Sequence, residues 1–459
     1  MMRLRFPRTW LGPAMVDVLS NAHENFTKLI LGEGISMHQQ PAPSRAHRMI
    51  VSLFSCAVVL GQVLASNAAQ ADTDITISLP GFLNFKMVDS DFDTPTGRVK
   101  IKIHGDAVFT DAEDDVLSLT DKIVIQEQRK DHTLRIAYQA ERGSVKSVYT
   151  VDGREQALDA DGKRWLATVI PVILRESAIN VEKRIKRIYA KGGADAVLAE
   201  IELIHSDYAR RSYIVRLPEL GRLDDKQLAR LLADTSTMNS DFERRTAYVT
   251  IIQKQTLNTA NQVTLLNGAA KMNSDFEVRT VLVELAPKMG SDIGVGQAWL
   301  AAIKGMHSDF EMRTAIVALA DHVANPALQI DWLLQASQNL SSDFEHRTVL
   351  VEICANMSHP TAAQVAAYAK SAQHISSDFE RRTALIALVE KSTLNKDGYV
   401  EVLNAVSGMG SDFEIRTVLV AIARQMPADN DLINRYRKVA RNLGDFERGQ
   451  AEKALDHLI

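Results

Sequence analysis

Cysteine is nearly absent from these 459 residues: there are two, Cys56 and Cys354. Cys56 lies in "MIVSLFSCAVVLGQVLASNAAQADT", where Arg45, His47 and Arg48 precede an apolar stretch and small residues follow it. Ala69-Gln70-Ala71 is an A-x-A site, so the spacing predicts a secretory signal peptide over 49–71, cut after Ala71. The apolar stretch is interrupted by serines and Gln62 and is too short for a comfortable membrane span. Leu53-Phe54-Ser55-Cys56 is not a lipoprotein box, because Phe54 is bulky for that role and the cysteine comes too early. Residues 1–48 are expected to be a disordered or misassigned extension, with translation starting at Met37 or Met49. The exported chain then keeps Cys354 alone. No internal disulfide can form, and a periplasmic or secreted protein must be held by packing.

An excess of either charge is also lacking. Fifty-three Lys and Arg against 57 Asp and Glu leave a formal charge of −4, which gives no reason to expect a nucleic-acid or anionic-membrane partner. The local basic patch "EKRIKRIYAKGG", Glu182–Gly193, alternates with Ile185 and Ile188 and is expected to be a solvated helix face. Hydrophobic residues make up 46% of the chain, enough for a sizeable core and more than one unit.

No constellation for catalysis stands out. There is no HExxH zinc motif ("HENFT" at His23 is not one), and no Cys/His cluster has zinc spacing. "GVGQAW" at Gly294 follows a helix rather than a strand, so it is not a dinucleotide loop. "HSD" at His205 and His307 places its residues next to one another on a helix cap, where triad geometry is impossible. Asp89, Asp91 and Asp93 have the D-x-D-x-D spacing of calcium loops. Thr94 stands where that loop needs Gly, and Lys100 where it needs Glu, so a solvated loop is expected. "TDAEDDV", Thr110–Val116, is expected to be a hairpin tip rather than a metal site. No catalytic, cofactor-binding or metal-binding residue is assigned, and no cofactor.

What is present is a repeat. Ser-Asp-aromatic recurs at Ser206, Ser240, Ser274, Ser308, Ser342, Ser377 and Ser411, with a decayed copy at Gly444, at intervals of 34, 34, 34, 34, 35, 34 and 33 residues. A further "SDF" at Ser90 is out of register and lacks the rest of the motif. Each unit reads as two helices. In the first, the serine caps the helix and a glutamate three residues on is expected to complete a capping box, as in Ser240/Glu243, Ser342/Glu345 and Ser411/Glu414. An apolar run follows, such as "TVLVEICANM", and then a second helix, such as "ALQIDWLLQASQNL". Neither helix can bury its apolar side alone, whereas stacked neighbours can, which makes an α-solenoid.

At roughly 100° per residue, Asp309 and Arg313 share a stripe with Ile316 and Ala320, and Phe310 flanks it. The same holds for Asp241 with Arg245 and for Asp412 with Arg416. A partly buried guanidinium must find a carboxylate, so a ladder of Asp–Arg pairs is expected to fix the register of unit on unit. The motif glutamate and threonine fall on the outer side. Arg313 should therefore matter to stability, and Glu311 little. A row of ligand-binding arginines is the functional reading of the same residues, and identical repetition in every unit favours the structural one.

Over residues 206–459 the units resemble HEAT-like and tetratricopeptide-like α-solenoids in length and two-helix plan. The Trp, Leu-Gly, Tyr and Pro pattern of tetratricopeptide repeats is not matched. "SDFExRT" units also resemble repeat segments of poorly characterised bacterial envelope proteins, some linked to sensor-peptidases of antibiotic-resistance signalling. Without HExxH, peptidase activity does not carry over.

From Asp72 to about Ala157 the texture differs. "RVKIKIHG", "DKIVIQEQ", "HTLRIAYQA" and "SVKSVYTVDG" alternate polar and apolar residues, predicting an antiparallel β-meander or small sandwich. Helical segments over 158–205, broken at Gly192-Gly193, are expected to cap the first repeat. The fold class is α+β: an antiparallel β-domain (72–157), a helical adapter (158–205) and a two-helix-per-repeat α-solenoid (206–459). Two functions from different classes follow. One is a non-enzymatic envelope scaffold or sensor that binds a protein or peptide, or a membrane-associated protein, on an extended solenoid surface. The other is an envelope enzyme with clustered carboxylates in the β-domain or at its junction with the helices.

Overall fold

The computed structural model describes residues 87–458. The extension 1–48, the signal peptide 49–71 with its cut after Ala71, and the first residues of the β-rich segment lie outside the described residues. Among the described residues, no helix is long and apolar enough to cross a membrane.

Eight strands come first: β1 Met87–Thr94, β2 Gly97–His104, β3 Ala107–Phe109, β4 Val116–Leu119, β5 Lys122–Gln128, β6 Thr133–Glu141, β7 Ser144–Val151 and β8 Arg154–Gln156. Six form one antiparallel sheet in the order β1-β2-β5-β6-β7-β8, and β3 and β4 pair as a separate hairpin. Alternation does the sorting. Val99, Ile101 and Ile103 of β2 point to one face, opposite Ile123 and Ile125 of β5, and Lys100 and Lys102 point to the other. The covered face packs against helix α1, Ala160–Ser177, through Trp165, Leu166, Val169, Ile170, Ile173 and Leu174. One helix thus does the work of a second sheet, and among the described residues there is no sandwich. α1, expected as part of the adapter, belongs to the core of the β-domain.

Asp89, Asp91 and Asp93 are not in a loop. They alternate along edge strand β1, in register with Lys102, Lys100 and Arg98 of β2. Lys102 bonds Asp89 at 2.6 Å and Arg98 bonds Asp91 at 2.7 Å. Opposite charges on facing strand positions stabilise the pairing, and charge on an edge strand discourages unwanted strand addition.

Helix α2, Val181–Ile201, is interrupted at Gly192 and at Gly193, whose φ is 65°, the break the sequence predicts. The repeats follow. Their first helices are α3 Asp207–Ile214, α6 Asp241–Lys254, α8 Asp275–Leu285, α10 Asp309–Ala320, α12 Asp343–Cys354, α14 Asp378–Lys391, α16 Asp412–Gln425 and α18 Asp445–Lys453. Their second helices are α5 Asp225–Thr235, α7 Thr259–Ala269, α9 Ile293–Lys304, α11 Pro326–Ser337, α13 Ala362–Gln373, α15 Lys396–Val406 and α17 Asn430–Ala440, with a short α4, Leu217–Leu220, in the first unit. First helices pack on first helices and second on second, giving two layers with one continuous apolar core between them.

In α10 the buried residues are Met312, Ala315, Ile316, Leu319 and Ala320. The centre of this stripe lies near Met312 and Leu319, about 100° round the helix from Arg313. Full burial of a side chain such as Ile316 contributes about 1.5–3 kcal/mol. The stripe is therefore rotated from the expected one, and the rotation decides where every polar motif residue goes.

Candidate functional site

With the core at Met312 and Leu319, Asp309 and Arg313 fall on one flank of α10 and Glu311 on the opposite flank, with Phe310 outermost. Parallel first helices therefore present the arginine flank of one unit to the glutamate flank of the next. Arg279 bonds Glu311 through Nε at 2.7 Å, and Arg313 is paired in the same way with Glu345. The series runs Arg211–Glu243, Arg245–Glu277, Arg279–Glu311, Arg313–Glu345, Arg347–Glu380, Arg382–Glu414 and Arg416–Glu447. A ladder of ion pairs exists, as expected, but the carboxylate is the glutamate and not the aspartate. The first unit has Ala209 at the glutamate position, where no preceding motif arginine exists. The last has Gly449 at the arginine position.

The aspartate has other work. Asp275 accepts the backbone N–H groups of His307 and Ser308 at 2.8 and 2.6 Å, and Asp241 those of Asn273 and Ser274 at 2.7 and 2.9 Å. It thereby fixes the chain just before the next first helix. Glu176, near the end of α1, does the same for His205 and Ser206, so α1 stands in for a preceding unit. The expected capping boxes are only half formed. Ser308 Oγ accepts from Glu311 N at 3.4 Å, but the Glu311 side chain turns away to Arg279. Glutamates expected on the outer side are instead mostly covered. The serines of the two "HSD" stretches act as helix caps; His205 and His307 are exposed beside them.

Outside the ladder runs a row of aromatics. Phe242, Phe276, Phe310, Phe344, Phe379 and Phe413 are 51–55% exposed, correcting the expectation that they border the buried stripe. Each lies under the arginine three residues on, with guanidinium carbon to ring centroid distances of 4.5–4.8 Å. Tyr208 under Arg211 begins the row, at 5.0 Å. Such a contact contributes about 0.5–1 kcal/mol at an exposed site. Among the described residues the Nη groups of these arginines donate to no protein acceptor, while Nε is used in the ladder. Thr280, Thr314 and Thr348 donate back to the carbonyl of the phenylalanine four residues earlier.

The residue between glutamate and arginine faces inward and differs from unit to unit. Arg244 and Arg381 are buried there and donate to backbone carbonyls, Arg381 to Ile375 and Gly408 among others. His346 occupies the same place, 2.7 Å from Ser371 Oγ, which lies 2.8 Å from Ser337 Oγ; Ser337 donates to Leu334 O. Counting hydrogens, the chain closes only if neutral His346 donates from Nε2 to Ser371 and Ser371 to Ser337. Burial lowers the His346 pKa to about 4.

At the junction with the β-domain, the hairpin tip Thr110–Val116 carries Glu113, which is buried and left-handed at φ 58°. Arg184 of α2 grips it through Nε at 2.8 Å and Nη2 at 3.2 Å, and through Nη1 also bonds Glu200 and Tyr213, both at 2.7 Å. Arg175 of α1 bonds Glu200 at 2.6 Å. Burial opposes the charge on Glu200, but Arg175 and Arg184 outweigh it and hold its carboxyl below the usual range. The basic patch is thus not simply solvated: Arg184 is an interior residue joining sheet, adapter and first repeat. Buried Glu127 of β5 is likewise engaged, by Trp165 Nε1 at 2.9 Å and by Arg129. These carboxylates are committed to cations and donors, leaving no free base among them.

Comparison with protein-family models, curated proteins and solved structures finds no match to this chain. Fold and surface define it as an α+β protein in which a β-domain heads a two-layer α-solenoid. The distinguishing feature of this particular chain is its outward row of phenylalanines, each stacked with an arginine.

Proposed function

We propose that the protein is an exported, non-enzymatic interaction scaffold or sensor of the bacterial cell envelope, and that it binds a protein or peptide on the phenylalanine row. The observation that carries this reading is the row itself. Six half-exposed phenyl rings repeat on one face at the period of the units. Soluble monomers rarely expose contiguous apolar patches beyond a few hundred Å², and aromatics and arginine are enriched at interfaces. The unit length and two-helix plan support a place among HEAT-like and tetratricopeptide-like repeats. The leader pattern ending at Ala71 supports export, and with it a membrane-associated protein among the partners; the near-balanced charge gives no reason to expect nucleic acid. The paired state of Glu113, Glu127 and Glu200 weighs against a carboxylate enzyme.

Site-specific photocrosslinking tests the reading. A benzophenone amino acid replaces Phe310, or as a control Gln335, an exposed residue of a second helix. Crosslinks to one partner from position 310 and not from 335 are expected. Equal crosslinking from both positions, or none from 310, overturns the reading. An exported species beginning at Asp72 is expected in the same cells; an intact cytosolic N-terminus rules out the export.

A further inference from the structure

We infer that the cleft where the β3–β4 hairpin meets α1 and α2 is a binding site for a small monoanionic amphiphile, an aliphatic carboxylate. The assignment stands independently of the phenylalanine row. The cleft has a volume of about 340 Å³, within the range of small-molecule sites, which favour junctions between domains. Its walls come from three stretches of chain: the hairpin, the end of α1 and the first two turns of α2. They divide by chemistry. Val108 and Leu117 of the hairpin and Leu174 of α1 make an apolar side. Leu174 is already buried, whereas Leu117 is 65% exposed, the most exposed large aliphatic side chain among the described residues. A bound alkyl chain would cover it.

The opposite side is basic, with Lys183, Arg184 and Arg187 of α2 all lining the cleft. Two of the three are committed. Arg184 is held by Glu113 and Glu200, and Arg187 by Glu113, with a longer contact of 3.4 Å to the exposed Asp111. Lys183 makes no hydrogen bond or ion pair among the described residues, and its neighbour Glu182 is taken by Lys186. The Lys183 ammonium is therefore the charge left for a ligand. At the start of α2, Asn180 gives its amide to Ala107 O at 3.1 Å and supplies no side-chain cap to the helix. The uncapped first turn adds to the positive side. Charge and apolarity together choose the ligand class. One unpaired ammonium balances one negative charge, whereas a phosphate monoester brings about −1.5 to −2. A neutral amphiphile leaves Lys183 unused, and an acid without a tail leaves Leu117 uncovered. A carboxylate on an aliphatic chain uses both.

The test is isothermal titration calorimetry of the full chain with octanoate. Octanol keeps the tail without the charge, acetate keeps the charge without the tail, and octyl phosphate raises the charge. One octanoate per chain is expected, bound roughly tenfold or more tightly than any of the three. Lys183→Gln and Leu117→Ser, both at exposed positions, should each weaken octanoate about fivefold or more. In Lys183→Gln the advantage of octanoate over octanol should disappear, a readout that a general loss of structure would not produce. No octanoate binding, equal binding of octanol or acetate, or an affinity unchanged in both variants overturns the inference. Octyl phosphate binding as tightly as octanoate refutes the single-charge argument and with it the carboxylate. Octanoate binding that is lost in Phe310→Ala with Phe344→Ala, and kept in Lys183→Gln, would place the ligand on the phenylalanine row and also overturns the assignment.

Discussion

Arg279 bonds Glu311 across the joint between two repeats at 2.7 Å, with 22% and 16% of the side chains exposed. Glu311 is therefore no bystander. Removing one partner of a largely covered pair leaves the other poorly solvated, so Glu311→Ala and Arg313→Ala should each cost about 1–3 kcal/mol. A double-mutant cycle of Arg279 with Glu311 should show coupling of about 0.5 kcal/mol or more. The cycle of Arg313 with Glu311, which share a helix but not a bond, should show much less. Urea melts decide, and equal coupling in both cycles refutes the ladder.

Asp275 makes its contribution through two backbone amides. Asp275→Ala should cost about 1–2 kcal/mol and expose the His307 and Ser308 amides to exchange. Asp275→Asn, which keeps an acceptor oxygen, should retain part of that protection. Amide hydrogen exchange resolved to these residues is the measurement, and unchanged exchange in the alanine variant speaks against the assigned role.

His346 and Asp234 give opposite pH dependences. The pKa of His346 falls from 6.5 to about 4 in the fold, so its stabilising contribution is whole above pH 6.5 and is lost as pH drops through 4. Burial raises Asp234 from 3.8 to about 6, so its contribution is present below pH 3.8 and is lost as pH rises through 6. His346→Met, matching Met312 one unit earlier, should remove the acid-side loss between pH 6.5 and 4. Asp234→Asn should raise stability at pH 7 more than at pH 4. Melting temperatures across pH 4–7 test both, and parallel curves for wild type and variants contradict the titrations.

Gly296 packs under the Trp332 indole, and a Cβ there would meet ring atoms at 2.1–2.5 Å. Gly296→Ala should destabilise by about 1–3 kcal/mol. Gly449 has nothing within 4 Å of such a Cβ, so Gly449→Ala should stabilise its helix by roughly 0.5–1 kcal/mol. Thermal melts of opposite sign are expected; a neutral Gly296→Ala would mean that the indole moves freely.

The period, the two helices per unit and the need for an arginine ladder are all legible in the sequence, because they depend on spacing alone. The partner of the arginine is not read correctly, since an aspartate four residues away on the same flank looks closer than a glutamate 32 residues on. That aspartate is held by the next unit's amides, which no sequence pattern displays. A signal was nonetheless available. Ala209 replaces the glutamate where no motif arginine precedes, and Gly449 replaces the arginine in the decayed copy of the motif. The outward turn of Phe310 is missed for a different reason: apolarity suggests burial, and only the inward Met312 fixes the rotation. At the junction, Glu113 and Arg184 lie 71 residues apart and belong to no repeat, so neither spacing nor period links them.

The uniform layer of first helices has nearly the symmetry of translation by one unit. Shifted along the stack by a repeat, Arg279 would find Glu345 as good a match as Glu311. Ladder and amide clamps hold neighbours together without saying which neighbours they are, and repeat arrays misassemble through such degeneracy. The differences between units remove it: Gly296 lies against the Trp332 indole, His346 meets Ser371 and through it Ser337, and Gly268 leaves room for the Tyr248 hydroxyl. The repeated residues thus act as fasteners, and the unrepeated ones behind them as addresses.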